Sequence, residues 1–159
     1  MNSAVKAGVI LAVLVTVVSA IIMGTGLHQN FLVAGLLSIL VYIVINIVLV
    51  YMTLNKSAAE NGYGAQLMSS GILGLVGGVL IFVGSWVLLS LVFPDALAEM
   101  RDSAIAFMES SNVPEATVEL QMAKLDAATP VSQSLPGLIF TFVTSVIVGA
   151  IVAIFKRKK

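Results

Sequence analysis

The chain has 159 residues, lacks cysteine, and carries equal numbers of acidic and basic residues, so that its formal net charge is zero. Hydrophobic residues make up 59% of it and charged residues 10%, whereas soluble domains are about 45–50% apolar and about 25% charged. These values exclude a large soluble catalytic domain, and the missing cysteines exclude disulfides, thiolate nucleophiles and cysteine metal sites. We expect a single domain in a lipid bilayer.

Four apolar segments predict four membrane-spanning helices. They cover residues of about 5–25, 31–54, 67–93 and 135–155. Each is long enough to cross a hydrocarbon core of about 30 Å at 1.5 Å per helical residue. Helices are expected because open strands would leave backbone groups unpaired in lipid. The predicted fold class is therefore an all-α integral membrane protein.

The first segment also has features of a cleaved signal peptide, namely Lys6 before the apolar run and the small residues Ser19 and Ala20. Its apolar run is longer than the 7–15 residues typical of a signal peptide, and no polar segment precedes the cleavage-like site. A spanning helix is the favoured interpretation.

A line of polar residues, Ser38, Tyr42 and Asn46, recurs every four residues along the second segment. With Thr141 and Ser145 of the fourth segment, it could line a small homodimeric permease or channel. The apolar cores of the segments contain no ionisable residue, although ion-coupled carriers usually place one there. Hydrogen bonding between helices is the favoured interpretation of the line.

Small residues recur every fourth position in three segments, a pattern that lets helices approach closely. These rows are Gly8, Ala12, Thr16, Ala20 and Gly24; Ser70, Gly74 and Gly78; and Gly137, Thr141, Ser145, Gly149 and Ala153. A four-residue repeat drifts about 40° per step around a helix of 3.6 residues per turn. We therefore expect each row to contact several neighbours in a four-helix bundle, with homodimerisation through one row as the alternative.

Basic residues predict the orientation. Four spans place both termini on one side of the membrane, together with six basic residues, while the other side has only Arg101 and Lys124. The positive-inside rule then places the termini in the cytoplasm. The acidic stretch 94–130 would lie outside it.

This extracytoplasmic insert is predicted to form a helical hairpin between the third and fourth spans. Pro94 and Asp95 favour a helix start, the helix is expected to reach about Ser110, and Asn112 with Glu115 resembles a capping box for a second helix. Apolar residues recur at helical spacing in both halves. The insert has seven acidic and two basic residues, a net charge of −5, which disfavours nucleic acid as a partner.

The leading functional hypothesis is a non-enzymatic accessory protein whose hairpin docks a membrane-protein partner, because loops beyond about 12–15 residues usually carry function or disorder. The docking candidates are Leu97, Met100, Phe107, Met108, Val118, Met122 and Leu125. The same apolar stripes can instead cover the end of the bundle or the lipid surface.

No catalytic, metal-binding or cofactor-binding residue is predicted, because the sequence lacks the corresponding motifs. An intramembrane hydrolase would have no residue to activate a serine or threonine. The sole histidine, His28, is interpreted as a solvated turn residue, and Asp95, Glu99 and Asp102 as solvated acids rather than a cation site.

Several stretches carry a family resemblance: Pro94-Asp95 directly after the third span, "NVPEATVELQMAKL", the terminal "VGAIVAIFKRKK" and the loop "GYGAQLMSSG". Together they resemble the bacterial membrane family named domain of unknown function 4199. The chain departs from that pattern at Asn55-Lys56-Ser57, where relatives often have an arginine-aspartate pair. The resemblance implies a protein of the bacterial inner membrane, without an established activity and without site residues that can be transferred.

Overall fold

A computed structural model describes residues 2–57 and 62–156, and within these ranges it contains helices and no strand. There are six α-helices: α1 (Ser3–Gly24), α2 (Phe31–Ser57), α3 (Tyr63–Val87), α4 (Ala96–Ser110), α5 (Glu115–Asp126) and α6 (Pro130–Lys156). A short 3₁₀ turn, Leu27–Gln29, joins α1 to α2.

Helices α1, α2, α3 and α6 are long and apolar enough to cross a membrane, and α3 continues as an apolar span to Val92. Large apolar side chains such as Leu40, Leu91 and Phe155 are exposed on their outer surfaces. An exposed apolar surface of this extent is expected when lipid surrounds the bundle. The four helices thus have the arrangement of a multi-pass membrane protein.

Helix α3 lies at the centre of the bundle. It has its most extensive contacts with α6 and α1, whereas α2 packs against α6 and α1 and less against α3. A Cβ atom added to Gly8 would lie 2.8 Å from the Leu73 carbonyl, and one added to Gly74 would lie 2.7 Å from the Ser145 Cβ. The backbones of α1 and α6 therefore approach α3 almost as closely as two helices can.

The small-residue rows of α1 and α6 both contact α3, and the row of α6 also contacts α2 through Ser145, as expected for a row that meets more than one neighbour. Along α1, Gly8 meets α3 at Leu73 and Gly77, and Thr16 meets it at Gly84. The row of α6 does the same: Gly137 lies near Ile81, Ser145 near Gly74 and Gly149 against Ser70.

The start of α6 lies five residues before the predicted limit of 135. Thr129 and Ser132 form a reciprocal cap, in which the Thr129 N–H donates to the Ser132 Oγ at 2.8 Å and the Ser132 N–H donates to the Thr129 Oγ1 at 3.1 Å. Pro130 occupies the first helical position, where its missing N–H is harmless. Similarly, α3 begins at Tyr63 rather than near residue 67.

The span of α3 ends in a π-helical turn, Leu88–Val92, closed by a 2.7 Å hydrogen bond from the Phe93 N–H to the Leu88 carbonyl. The sequence favours a helix start at Pro94 and Asp95, but α4 begins directly after them, at Ala96. The wider turn and the proline together redirect the chain from the bundle into α4 and α5, the pair of helices that we call the hairpin.

Asn112 ends α4 and does not cap α5, so the predicted capping box is wrong. It has a left-handed φ of 50°, and the Asn112 and Val113 N–H groups donate to the Glu109 and Met108 carbonyls. This is the Schellman arrangement, for which asparagine is a common substitute for glycine. The residue that precedes the first turn of α5 is Pro114.

Two stretches of the sequence analysis fall outside the described residues. They are positions 58–61 of the loop between α2 and α3 and positions 157–159 of the basic terminus.

The glycine contacts predict a sharp difference between two conservative substitutions in α3. A Cβ at Gly78 would lie 2.8 Å from the Leu138 carbonyl of α6, whereas one at Gly71 would have its nearest neighbour, a Val146 methyl, at 4.0 Å. We expect Gly78→Ala to lower the free energy of unfolding by about 1–3 kcal/mol. Unfolding in bicelles measures it, with Gly71→Ala as the control of equal helix propensity. Equal stabilities would contradict this packing.

Candidate functional site at the hairpin end of the bundle

Helix α4 lies across one end of the bundle, which we call the hairpin end. Ala96 and Ala104 are buried, and the ring of Phe107 packs against that of Phe31 at the start of α2 with 5.4 Å between their centroids. The apolar stripe of α4 therefore faces its own bundle. Of the alternatives that the sequence leaves open for this stripe, the structure places it over the bundle end.

A second contact holds the other end of α4. The Nε2 of His28, in the 3₁₀ turn, lies 2.5 Å from the Glu99 Oε2, and the Gln29 side-chain amide donates to the same oxygen at 3.0 Å. His28 is only 6% exposed, so the interpretation as a solvated turn residue is wrong. Glu99 is likewise hydrogen-bonded, although its side chain remains 41% exposed.

These contacts have an electrostatic consequence for Glu99. The hydrogen bond from Gln29, then that from His28, lowers the pKa of the Glu99 carboxyl below its ordinary value of 4.5, because both stabilise the charged form. Glu99 is therefore ionised at neutral pH and can only accept hydrogen bonds.

Helix α5 is attached to α4 by one side-chain pair and the Asn112 turn. The Arg101 Nε donates to the Asp126 Oδ1 at 2.6 Å, and Asp102 is a weaker partner of the same guanidinium at 3.5 Å. No residue of α5 is buried. Most of the α5 surface is consequently open.

Two cavities lie beneath α4. The first, of about 270 Å³, is bounded by α1, α2 and α4, and its wall includes His28, Arg101 and Gln133. The second, of about 230 Å³, lies deeper, between α1, α2 and α6, where Tyr42 and Thr141 contribute polar groups. Ser19 and Ser38 line both, so the two cavities adjoin.

The predicted polar line is brought together only in part. Tyr42 is buried and its hydroxyl lies 3.0 Å from the Thr144 Oγ1. Asn46 is 1% exposed and its amide donates to the Ser145 Oγ at 2.8 Å and to the Tyr42 hydroxyl at 3.3 Å. Ser38 is exposed on α2 and lines the cavities instead. The Tyr42–Asn46 pair thus links α2 to α6, as the packing interpretation expects.

The seven docking candidates separate into three groups. Leu97, Met100 and Leu125 line the first cavity. Phe107 packs on Phe31, and Met108 is half-buried at the end of α4. Val118 and Met122 alone line a shallow groove on α5, beside Glu115 and Glu119.

The sequence did not predict two contacts. One joins His28 and Gln29 to Glu99, and the other joins Thr144 to the Tyr42 hydroxyl. The partners of the first contact are 71 residues apart along the chain, so no local signal joins them. The Tyr42–Thr144 pair is separated by 102 residues. Within the described ranges, no three histidine, aspartate or glutamate side chains converge as a metal site.

A comparison with protein families matches residues 6–158 to one model, whose description is protein of unknown function (DUF4199). No curated protein and no solved structure matches the chain. The match spans nearly all of the chain, including the hairpin.

The lowered pKa of Glu99 predicts how the α4 contact responds to acid. A carboxylate whose folded-state pKa is depressed stabilises the folded state above its unfolded pKa, and the stabilisation is lost as the pH falls through the folded value. We therefore expect the protection factors of the α4 amides in nanodiscs, which are hydrogen-exchange rates corrected for the intrinsic effect of pH, to fall below about pH 4.5. In Glu99→Gln, exchange should be fast already at neutral pH.

The control is Glu109→Gln, which removes an exposed carboxylate from the end of the same helix. It should retain the wild-type pH profile. A Glu99→Gln protein with an unchanged profile would show that the His28 contact does not hold α4.

Proposed function

Because the chain belongs to the family described as protein of unknown function (DUF4199), we propose its role from its own surfaces: it is a non-enzymatic accessory protein of a bacterial inner membrane that docks a partner through α5. The partner is an extracytoplasmic, basic and amphipathic segment of another membrane protein. The open surface of α5 is the observation that carries this proposal.

The orientation that this role needs is supported by the distribution of basic residues. Six of them belong to the side of the two termini, namely Lys6, Lys56, Lys156, Arg157, Lys158 and Lys159. Only Arg101 and Lys124 belong to the side of the hairpin. The positive-inside rule favours cytoplasmic termini and an extracytoplasmic hairpin.

The anchoring of the hairpin supports docking through α5 rather than α4. The apolar stripe of α4 packs against Phe31 and covers the cavities, so little of its apolar surface is available to a partner. Helix α5 is held in place by α4 while none of its residues is buried. A surface that is fixed yet uncovered needs little reorganisation on binding.

The charge of α5 identifies the chemistry of the partner. Glu115 and Glu119 flank the apolar residues Val118 and Met122 of the groove. Asp126 is paired with Arg101 and Glu99 with His28, so these two are engaged within the hairpin end. The remaining acids favour association with a basic segment, and apolar groove residues would provide the buried contact.

Photo-crosslinking tests the docking surface in the native membrane. A crosslinker at Met122 should capture a basic membrane partner, while one at Leu120, which is 58% exposed on the opposite face of α5, should not. Glu115→Lys combined with Glu119→Lys should lower the yield at least about tenfold, because like charges oppose docking.

The matched charge control is Asp95→Lys with Glu109→Lys, two exposed acids of the α4 region. It should leave the Met122 adduct unchanged. Equal adducts at Met122 and Leu120, or insensitivity to the α5 charges, would refute docking through this groove.

A second candidate function is a small permease or channel, favoured by the two cavities that adjoin at Ser19 and Ser38 and reach Tyr42. A solute path would extend them past Asn46, with Thr141 and Ser145 as further polar groups. The hydrogen bonds that engage Asn46 and Tyr42 with α6 make this the weaker candidate.

Measurement of flux into liposomes tests the permease or channel function. Ser38→Leu and Asn46→Leu should each reduce transport of small ions or of glycerol by at least about tenfold if the cavities conduct, since both put bulk and an apolar surface in the path. Ser69→Leu is the control, because Ser69 lies half-buried on a spanning helix and lines neither cavity. Proteoliposomes without flux would exclude this function.

A further inference from the structure

One residue in the wall of the cavity beneath α4 has a buried polar atom that packing between the helices leaves without a partner. The sides of this cavity are mostly apolar, with Ile22, Phe31 and Leu97 among them, yet His28 lines it and is 6% exposed. The Nδ1 atom of His28 is buried and has no hydrogen-bond partner among the described residues. A buried polar atom in this state destabilises the folded protein unless something binds it.

The contact with Glu99 determines what Nδ1 can bind. The ionised carboxylate can only accept, so the proton of a neutral imidazole lies on Nε2, the atom 2.5 Å from Glu99. Nδ1 then has a lone pair and no proton. In that tautomer it is a hydrogen-bond acceptor, and the residue that carries it lines the apolar cavity.

The charges around the cavity limit the ligand further. Arg101 lines the same cavity, and its positive charge would repel an ammonium group. The ionised Glu99 and the Nδ1 lone pair would repel a carboxylate or phosphate next to the ring. A neutral hydroxyl is the donor that this surrounding accepts best.

We propose that the cavity binds an apolar membrane molecule whose hydroxyl group donates a hydrogen bond to the His28 Nδ1. Its apolar part follows α2 into the second cavity, past Ser38 towards Tyr42. The two adjoining cavities together fall within the roughly 300–1,000 Å³ of small-molecule sites. Gly35 and Ser38, at the cavity wall, are exposed on a membrane-spanning helix, so the ligand enters from the lipid. This proposal does not rest on docking by α5.

The single histidine of the chain makes a direct test feasible. Protein labelled with ¹⁵N-histidine gives one pair of ring nitrogen signals, and we expect them to show a protonated Nε2 and an unprotonated Nδ1 in nanodiscs of phosphatidylcholine. The spectra are recorded at a mildly alkaline pH, at which a free imidazole is neutral. Added 1-decanol should shift the Nδ1 signal in the direction of hydrogen-bond acceptance.

Ligands of the same chain length test the chemistry of the head group. Decane, decanoate and decylammonium should bind about three- to tenfold more weakly than decanol, the ratio expected for one neutral hydrogen bond. An Nδ1 signal that decanol does not move, or equal binding of decane, would overturn the proposal.

Two glycine variants separate binding from folding. Added side chains at Gly35 and at Gly64 would both meet open space, but only Gly35 lines the cavity. Gly35→Leu should abolish the decanol-induced shift while keeping the apo spectrum, and Gly64→Leu should leave both unchanged. A decanol shift that survives Gly35→Leu would place the alcohol elsewhere and refute the site.

A final pair of nanodiscs distinguishes two sources of the hydroxyl. If the natural ligand is a lipid head group, phosphatidylglycerol in place of phosphatidylcholine shifts Nδ1 without decanol. If it is a neutral apolar alcohol, diacylglycerol produces the shift and phosphatidylglycerol does not. A failure of both lipids, with decanol binding intact, would overturn a membrane lipid as the ligand.

Discussion

The close approach of α1 and α6 to the backbone of α3 is the constraint on which the rest of the structure depends. In lipid there is little hydrophobic force between helices, so association relies on dispersion contacts, and these need small residues at the interface. Gly74 and Gly78 leave no room for a Cβ against α6, and Gly8 leaves none against α3. The small-residue rows of α1 and α6 therefore determine how closely these two helices pack against α3.

The position of α2 follows from this arrangement. With both long flanks of α3 taken by α1 and α6, α2 packs at the periphery and is fixed to α6 by polar contacts, which join Tyr42 to Thr144 and Asn46 to Ser145. These contacts lie deep in the bundle. Towards the hairpin end the α1–α2 gap is not filled, and the cavities at Ser19 and Ser38 result. Helix α4 covers this gap, which accounts for its apolar stripe.

The sequence predicts those features that depend on local composition or spacing. Charge-free runs locate the four spans, and the acidic stretch locates the hairpin, because desolvation of charge in a bilayer is expensive. The start of α6 was missed since its cap, Thr129 with Ser132, is a short signal outside the apolar run. Asn112 is predicted to begin α5 but ends α4, because asparagine is common both at a helix start and at a left-handed helix end. The environment of His28 depends on Glu99 in another helix, and such a pairing has no signature in a single sequence.

The two proposed surfaces of the hairpin are connected by one side chain. An exposed ion pair such as Arg101–Asp126 contributes little to stability, so α5 is held less firmly than α4, which has contacts at both Glu99 and Phe107. Arg101 also lines the cavity beside His28. A partner that draws Asp126 away from Arg101 would leave the guanidinium without its strongest acceptor, at the wall of the cavity. Because coupling between two sites is reciprocal, a ligand that engages Arg101 would in turn change how firmly α5 is held for its partner.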